Sequence, residues 1–240
     1  MNAPAGLERC SSFINCNLQP SGRTRHAVPG VRRPVVTISR QSGCGAHGVA
    51  EQLARYLQSH SPELIPPWTV FDRNLVEAVL ADHHLPGHLA RFMPEDRVSA
   101  IDDAMRQIFG QYPPAEALAG RTSETILRLA ELGNVILLGR GATVLTAGLS
   151  HAIHVRIVAP LERRIANMEQ FENLPRKAAA DRIRQEDQGR QRYVRRHFNR
   201  DIDDPLLYHL TVNTGLVSLE NAARLIGDFV MKQTPTTVLA

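Results

Sequence analysis

The sequence predicts an α/β protein in which a three-layer arrangement places one parallel sheet between helices. Apolar, β-branched runs alternate along the chain with stretches whose apolar residues repeat at helical spacing, which is the order that parallel sheets require. Residues 135–138 read Val-Ile-Leu-Leu. A strand that is apolar at every position is typical of one buried on both faces of a parallel sheet.

A glycine-rich turn at residues 39–48 links the first predicted strand to the first predicted helix. The strand is the β-branched run at 35–38, and apolar residues at helical spacing over 49–57 indicate the helix. Strand, turn and helix in this order direct backbone N–H groups and a helix N-terminus towards an anion. The arrangement therefore predicts a phosphate-binding loop.

This loop departs from the usual G-x-x-x-x-G-K-[ST] pattern at the side chains that contact phosphate and metal. Gly45 holds the second glycine position, and Arg40 stands at the first. Ala46 replaces the lysine, and His47 replaces the hydroxyl residue. The whole chain has two lysines, both beyond residue 170, so phosphate chemistry must depend on arginine. Ordinary structural explanations also exist, with His47 in the first helical turn and Cys44 as a small residue that fits the turn.

The other predicted elements continue the alternation of strands and helices. Further strands are predicted at residues 68–71, 135–138, 151–158 and 210–214. Further helices are predicted from Asp72 to residue 80, over 95–109, 115–132 and 160–200, and over 218–231, with Asp72 and Ser218 at helix N-termini. Crossovers between parallel strands complete the predicted sheet.

Composition describes an ordinary globular chain whose basic charge is concentrated in one segment. Of 240 residues, 43% are hydrophobic and 22% are charged, and no apolar run approaches the length of a membrane helix. Residues 1–33 contain five arginines and one glutamate, which accounts for the whole formal charge of +4. This distribution argues against a nucleic-acid-binding face on the fold. Residues 1–33 also lack periodicity and are predicted to be a disordered extension of a domain at 34–240.

Cysteine usage and the start of the chain predict a cytoplasmic protein. Cys10, Cys16 and Cys44 lack metal-ligand spacing and cannot all pair, which favours a reducing compartment. The first residues lack the basic-then-apolar order of a signal peptide.

Four segments fall at the carboxyl ends of predicted strands, the edge at which parallel sheets bind ligands. They are the loop at 39–48, Asp72-Arg73, Gly139-Arg140 and Asn213-Thr214. Each alone has an ordinary explanation, such as a tight connection or a surface ion pair. Together at one edge they predict a site for a phosphorylated ligand.

Residues 176–200 form a predicted helix with nine basic and three acidic residues. Asp187 and Arg190 are three residues apart and share a face of this helix. The pattern fits a solvated helix with local ion pairs worth about 0.3–0.5 kcal/mol each. It also fits a mobile, arginine-rich flap over nucleotides, since arginine clamps act in phosphoryl transfer.

Six stretches of the chain carry a resemblance to a known family. They are S-R-Q-S-G-C-G at 39–45, F-D-R-N-L at 71–75, V-I-L-L-G-R-G at 135–141, A-P-L-E-R-R-I at 159–165, D-x-x-R-x-x-Y at 187–193 and Y-H-L-T-V-N-T-G at 208–215. As an ordered set covering about residues 34–230, they resemble the cytidylate kinase-like family, the degenerate-loop branch of the P-loop nucleoside monophosphate kinases. The resemblance implies a parallel sheet of about five strands. It also implies a monophosphate-binding helical insertion at about 73–130 and an arginine-rich lid at about 175–200.

The resemblance further implies a role for each matching position. The phosphates of ATP, with Mg²⁺ as its companion ion, would be surrounded by Ser42, Gly43, Cys44, Gly45, Ala46, His47 and Gly48. Asp72 and Arg73 would face the monophosphate pocket, and Arg140 would hold the acceptor's phosphate. The implied catalytic residues are Arg140, Asp187 and Arg190, the last two acting from the lid. No covalent nucleophile and no protein-bound metal centre is implied, because such catalysis consists mostly of positioning and charge neutralisation.

Two functions remain open on the sequence. The first is ATP-dependent phosphoryl transfer to a nucleoside monophosphate, with CMP or dCMP as acceptor, which Arg140 and the arginine-rich lid favour. The second is a catalytically weak or inactive relative that binds nucleotide in a regulatory or assembly role, which the missing lysine favours. Nucleotides are the expected ligands in both cases, without nucleic acid or membrane.

Overall fold

The structure is a computed structural model and describes Phe13 and residues 32–62, 66–72, 117–139 and 141–233. The strands are β1 Val35–Arg40, β2 Thr69–Phe71, β3 Val135–Leu138, β4 Ala152–Val158 and β5 Leu210–Asn213. The helices are α1 Ala46–His60, α2 Ala117–Leu132, the short α3 Ala142–Leu145, α4 Leu161–Glu172, α5 Arg176–Phe198 and α6 Leu219–Gln233. None of these helices is long and apolar enough to span a membrane.

The five described strands form one parallel sheet in the order β2-β3-β1-β4-β5. β1 is central, pairs with β3 and β4, and is buried except at its last residue. β3 is buried at all four positions, as expected of a strand covered on both faces. The prediction of a helix-flanked parallel sheet of about five strands is therefore confirmed.

The strand order places the turn after β1 at the point where the chain moves from the β2–β3 side of the sheet to the β4–β5 side. The connection from β1 leads to β2 and β3 on one side, and the chain then crosses β1 to reach β4 and β5 on the other. Ligands of open parallel sheets bind in the crevice that opens at such a switch point, beyond the carboxyl ends of the strands. The sheet thus presents the residues after β1 to a crevice.

The two faces of the sheet differ in character. On one face, Val36 and Ile38 of β1 belong to an apolar core shared with α1 and α6. These two helices pack closely, because a Cβ on Gly227 of α6 would lie 2.4 Å from a ring carbon of Tyr56. On the other face, Thr37 forms a buried hydrogen-bonded contact with Thr143 of α3.

The predicted helical stretch at 160–200 is two helices rather than one. α4 ends at Glu172, Asn173 adopts a φ of 56°, and Pro175 precedes α5. Asparagine tolerates the left-handed conformation that often follows a helix, and proline is favoured at helix starts. Both signals are in the sequence, but the many charged residues of the segment made the boundary between the two helices hard to recognise.

Described residues at the start of the chain contact the domain. Phe13 is fully buried, and its ring meets that of Phe71 edge to face, with centroids 5.5 Å apart. Arg32 Nη1 lies 3.6 Å from the Glu131 carboxylate. The rest of the predicted extension, and residues 73–116 of the predicted insertion, lie outside the described residues. The domain boundaries therefore stay predictions.

Candidate active site

Two glycines with a left-handed backbone shape the turn after β1. Gly43 and Gly45 have φ values of 76° and 79°, a region that favours glycine. A Cβ on Gly43 would lie 2.6 Å from the Arg164 carbonyl oxygen, and one on Gly45 would lie 2.9 Å from the Leu219 side chain. Gly43 therefore requires glycine for space as well as conformation, whereas Gly45 requires it for its left-handed backbone. α1 begins at Ala46, so a helix N-terminus follows the turn directly.

A cavity of about 1170 Å³ opens at the carboxyl edge of the sheet. Its lining includes the whole loop at 39–48, Asp72 after β2, Gly139 after β3 and Thr214 after β5. The four segments predicted to share one edge are thus represented in one cavity. The volume exceeds the roughly 300–1000 Å³ of a typical pocket for one small ligand.

Two predicted site residues, Arg73 and Arg140, lie outside the described residues. Asp72 precedes the first of them, and Gly139 and Gly141 flank the second; all three line the cavity. The roles implied for Arg73 and Arg140 stay predictions.

The acidic pair of α5 connects this helix to the loop. The Ser42 backbone N–H donates to Asp187 Oδ1 over 2.7 Å, and the Ser42 hydroxyl donates to the Glu186 carboxylate. Burial alone would raise the pKa of Glu186, but hydrogen bonds from Ser42, Arg182 and Arg190 hold it below its usual range. Asp187 thus accepts a backbone N–H of the loop, a donor of the kind that a phosphate would use, while Glu186 accepts the Ser42 hydroxyl.

Arg164 of α4 joins the loop to α5, and the sequence analysis did not single it out. Its Nε donates to the Ala159 carbonyl oxygen over 3.0 Å. Its Nη1 donates to Asp187 Oδ2 over 2.6 Å and to the Ser42 carbonyl oxygen over 3.3 Å. The signal that could have identified it is its position, because Arg164 is buried on the same helix face as Met168.

Arg190 of α5 lines the cavity. Its Nη1 lies 3.0 Å from Asp187 Oδ1, and its Nη2 lies 2.9 Å from Glu186 Oε2. Asp187 does not line this cavity but a neighbouring one of about 290 Å³, and it is bound by Arg164, Arg190 and the Ser42 N–H. The structure brings the implied lid pair together. Their contact with a ligand stays a prediction.

The loop side chains at 44 and 47 differ in their surroundings. Cys44 is buried in the apolar core, its thiol lies 3.5 Å from the Ile157 carbonyl oxygen, and burial raises its pKa. These surroundings suit a small packing residue rather than a thiolate. His47 is exposed and lines the cavity. Cys44 contributes its carbonyl oxygen, which accepts a hydrogen bond of 2.7 Å from the Thr214 hydroxyl.

Comparisons with known proteins agree with this architecture. The model of the cytidylate kinase-like family matches residues 35–216. No curated protein matches the chain. Among solved structures, an uncharacterized protein from Eubacterium ventriosum has a TM-score of 0.65 at 17% identity, covering 84% of this chain and 99% of that chain. This likeness shows the fold alone.

Two shikimate kinases overlap less well. The enzyme from Acinetobacter baumannii, in complex with shikimate, has a TM-score of 0.46 at 15% identity, covering 85% of this chain and 96% of that chain. The enzyme from Bacteroides thetaiotaomicron has a TM-score of 0.47 at 12% identity, with 82% and 98% covered. Overlaps of this extent say nothing about the reaction.

Proposed function

Because the chain belongs to the cytidylate kinase-like family, we propose that it is a kinase. It transfers the γ-phosphoryl group of ATP to a nucleoside monophosphate, with CMP or dCMP as acceptor. The observation that carries the proposal is the convergence of the glycine loop, the ends of β2 and β3, and α5 on one cavity. Phosphoryl transfer requires donor and acceptor side by side, and positioning supplies much of the catalysis. A cavity of about 1170 Å³ has room for both.

The loop offers backbone groups that fit the phosphates of ATP. Within the described ranges, the N–H groups of Gly45, His47 and Gly48 have no hydrogen-bond acceptor. They belong to the turn and to the first turn of α1, whose N-terminus carries partial positive charge. ATP would satisfy these groups, whereas the side chains at 46 and 47 supply neither the usual lysine nor a hydroxyl.

Mg²⁺ would accompany ATP, since the ion neutralises charge on the transferred phosphoryl group. It prefers oxygen ligands and is commonly held by one or two carboxylates together with phosphate oxygens. The described carboxylates that line the cavity are Asp72, Glu172 and Glu186. Asp72 directly follows β2 at the edge of the sheet where the glycine loop lies, and from this position it would contribute a ligand to the ion.

Arg190 would neutralise phosphate charge from the lid. It would do so by exchanging the carboxylates of Glu186 and Asp187, each a third or less exposed, for phosphate oxygens. This exchange keeps the arginine in a charge-assisted contact throughout, which limits its cost.

A nucleotide-binding protein without transfer activity is the second candidate. The observation that favours it is the contact between Ser42 and the lid carboxylates, which occupies a backbone donor of the loop. Ala46 in place of the lysine favours it as well.

A coupled ADP-release assay separates the two candidates. Wild-type protein with Mg-ATP is tested against a panel of nucleoside monophosphates and small hydroxylated acceptors, and we expect turnover with CMP or dCMP. Arg190→Ala should lower that turnover at least tenfold, which corresponds to about 1.4 kcal/mol in the barrier. Arg192→Ala is the matched control, because it removes an exposed arginine from the same helix.

Calorimetric binding of ATP without ADP release for any acceptor would contradict the kinase proposal. The double variant Ala46→Lys, His47→Ser then supplies the decisive comparison. Activity that appears only in this variant would assign the native chain to the second candidate.

A further inference from the structure

Arg40, the last residue of β1, carries a positive charge into the cavity. Its side chain lines the cavity beside the loop. It forms no hydrogen bond or ion pair with any residue in the part of the chain that the structure describes. Arg164 and Arg190, by contrast, both pair with Asp187. Among the described residues, Arg40 thus differs from these two arginines in having no carboxylate within hydrogen-bonding distance.

The end of β3 has space for this guanidinium because position 139 is glycine. A Cβ on Gly139 would lie 1.8 Å from Arg40 Nη1 and 2.9 Å from its Cζ, so any side chain would displace the charged group. Gly139 also has a φ of 88°, which favours glycine independently. The fold therefore holds Arg40 between the loop and the β3 end, where donor and acceptor would meet.

The electrostatic surroundings of Arg40 are unfavourable in the ligand-free protein. Burial and the nearby charge of Arg190 lower its pKa to about 10, while Asp72 and Glu186 raise it only in part. The group stays charged at neutral pH. A partly buried charge without a hydrogen-bonded counterion destabilises the folded protein unless an anion joins it.

Two departures from the usual loop pattern complement each other at this site. Ala46 removes the lysine from the start of α1, and Arg40 adds a guanidinium where the pattern has its first glycine. We propose that Arg40 binds phosphoryl oxygens of the nucleotide in this cavity and supplies the fixed charge that the loop otherwise lacks. A planar guanidinium can hold two phosphate oxygens at once. The inference deepens the proposed function and rests on it, since the phosphate belongs to a bound nucleotide.

The test measures binding rather than turnover, so that it is independent of catalysis. The dissociation constants of ATP, CMP and inorganic pyrophosphate are measured by calorimetry at one fixed salt concentration. Arg40→Met should weaken ATP, CMP or both at least tenfold, and Arg40→Lys should recover part of the loss. The ATP and CMP arms tell whether the donor or the acceptor phosphate is held. Arg224→Met is the control, because it removes an exposed arginine on α6 with the same change of charge.

The melting temperature of the ligand-free protein separates phosphate binding from a structural role. Arg40→Met should melt at the wild-type temperature or above it, because it removes a partly buried charge that has no ion pair among the described residues. A structural arginine would lower the melting temperature instead. Unchanged affinity of Arg40→Met for all three ligands would overturn the inference, as would a loss of affinity that accompanies a lower melting temperature.

The outcomes also separate this inference from the proposed function. Binding of ATP that depends on Arg40, without transfer to any acceptor, would support the inference and refute the kinase proposal. Wild-type protein that binds none of the three ligands would refute both.

Discussion

The protein should lose stability as the pH falls from about 7 to 4 because of one buried histidine. His154 lies in β4 and is 7% exposed. Its Nδ1 is 2.9 Å from the Thr37 hydroxyl, and its ring centroid is 5.1 Å from that of His209. Burial, followed by the charge of His209, lowers its pKa from 6.5 to about 4. The folded protein therefore keeps His154 neutral where the unfolded chain protonates it.

The sign and size of the effect follow from proton linkage. Between pH values of about 6.5 and 4 the unfolded state binds more protons, so the free energy of unfolding rises with pH. The difference between the two pKa values, at about 1.4 kcal/mol per pH unit, corresponds to at most about 3.5 kcal/mol. This contribution is fully present above pH 6.5 and is lost as the pH falls through the folded-state pKa.

Urea unfolding of wild type and His154→Asn at several pH values tests this reasoning. The asparagine amide keeps a hydrogen-bonding group near the position of Nδ1 and does not titrate. Carboxylates titrate in both proteins, so the difference between the two free energies isolates His154. The advantage of the wild type should shrink by about 2–3 kcal/mol between about pH 8 and pH 4.5. A difference that stays constant over this range would refute the reasoning.

Two further predictions concern stability, where 1 kcal/mol shifts the melting temperature by roughly 2–4 °C for a chain of this size. Phe13→Ala should lower the melting temperature by roughly 6–12 °C, since emptying a buried phenylalanine site costs about 3 kcal/mol or more. Phe171→Ala is the control, because this side chain is 75% exposed, and it should change the melting temperature little in the same calorimetric scan. Asp187→Ala should lower the free energy of unfolding by about 2–3 kcal/mol, because Arg164 is only 10% exposed and loses its counterion. The loss is smaller than for a fully buried pair, because Asp187 is 29% exposed. Asp181→Ala is the control, because its ion pair lies exposed on the same helix, and it should lower the free energy of unfolding by less than about 1 kcal/mol in urea. Equal losses for the two variants would contradict the role of Arg164.

Contacts between α5 and the glycine loop link the loop to Arg190. The carboxylates of Glu186 and Asp187 bind the loop through Ser42 and also hold Arg190. A phosphate that enters the loop would compete for the Ser42 N–H and release the arginine at the same time. In the proposed mechanism, phosphate binding at the loop and the release of Arg190 are therefore coupled through the Ser42 N–H.

The sequence determined the features that depend on neighbours along the chain. The apolar run of β3 indicates a strand buried on both faces, and the glycines at 43 and 45 mark a turn that needs a left-handed backbone. Helical spacing located α1 and α6, and the Ser218 side chain does accept a hydrogen bond of 3.1 Å from the Asn221 N–H at the start of α6. The edge at which the candidate ligand-binding segments meet was also predictable, because the carboxyl ends of parallel strands share one side of a sheet.

Only the tertiary structure decided which distant side chains meet at that edge. Ser42 and Asp187 are 145 residues apart, and Thr37 and His154 are 117 apart, so their pairing depends on the strand order and on how α5 lies over the loop. In the sequence, Arg40 is noticed only because it occupies the position of the first glycine in the usual phosphate-loop pattern. It becomes a phosphate-binding candidate only because β3 lies beside β1 and places Gly139 against its guanidinium. Local patterns determine the elements, whereas the charge balance of a site depends on contacts that form only when the sheet is assembled.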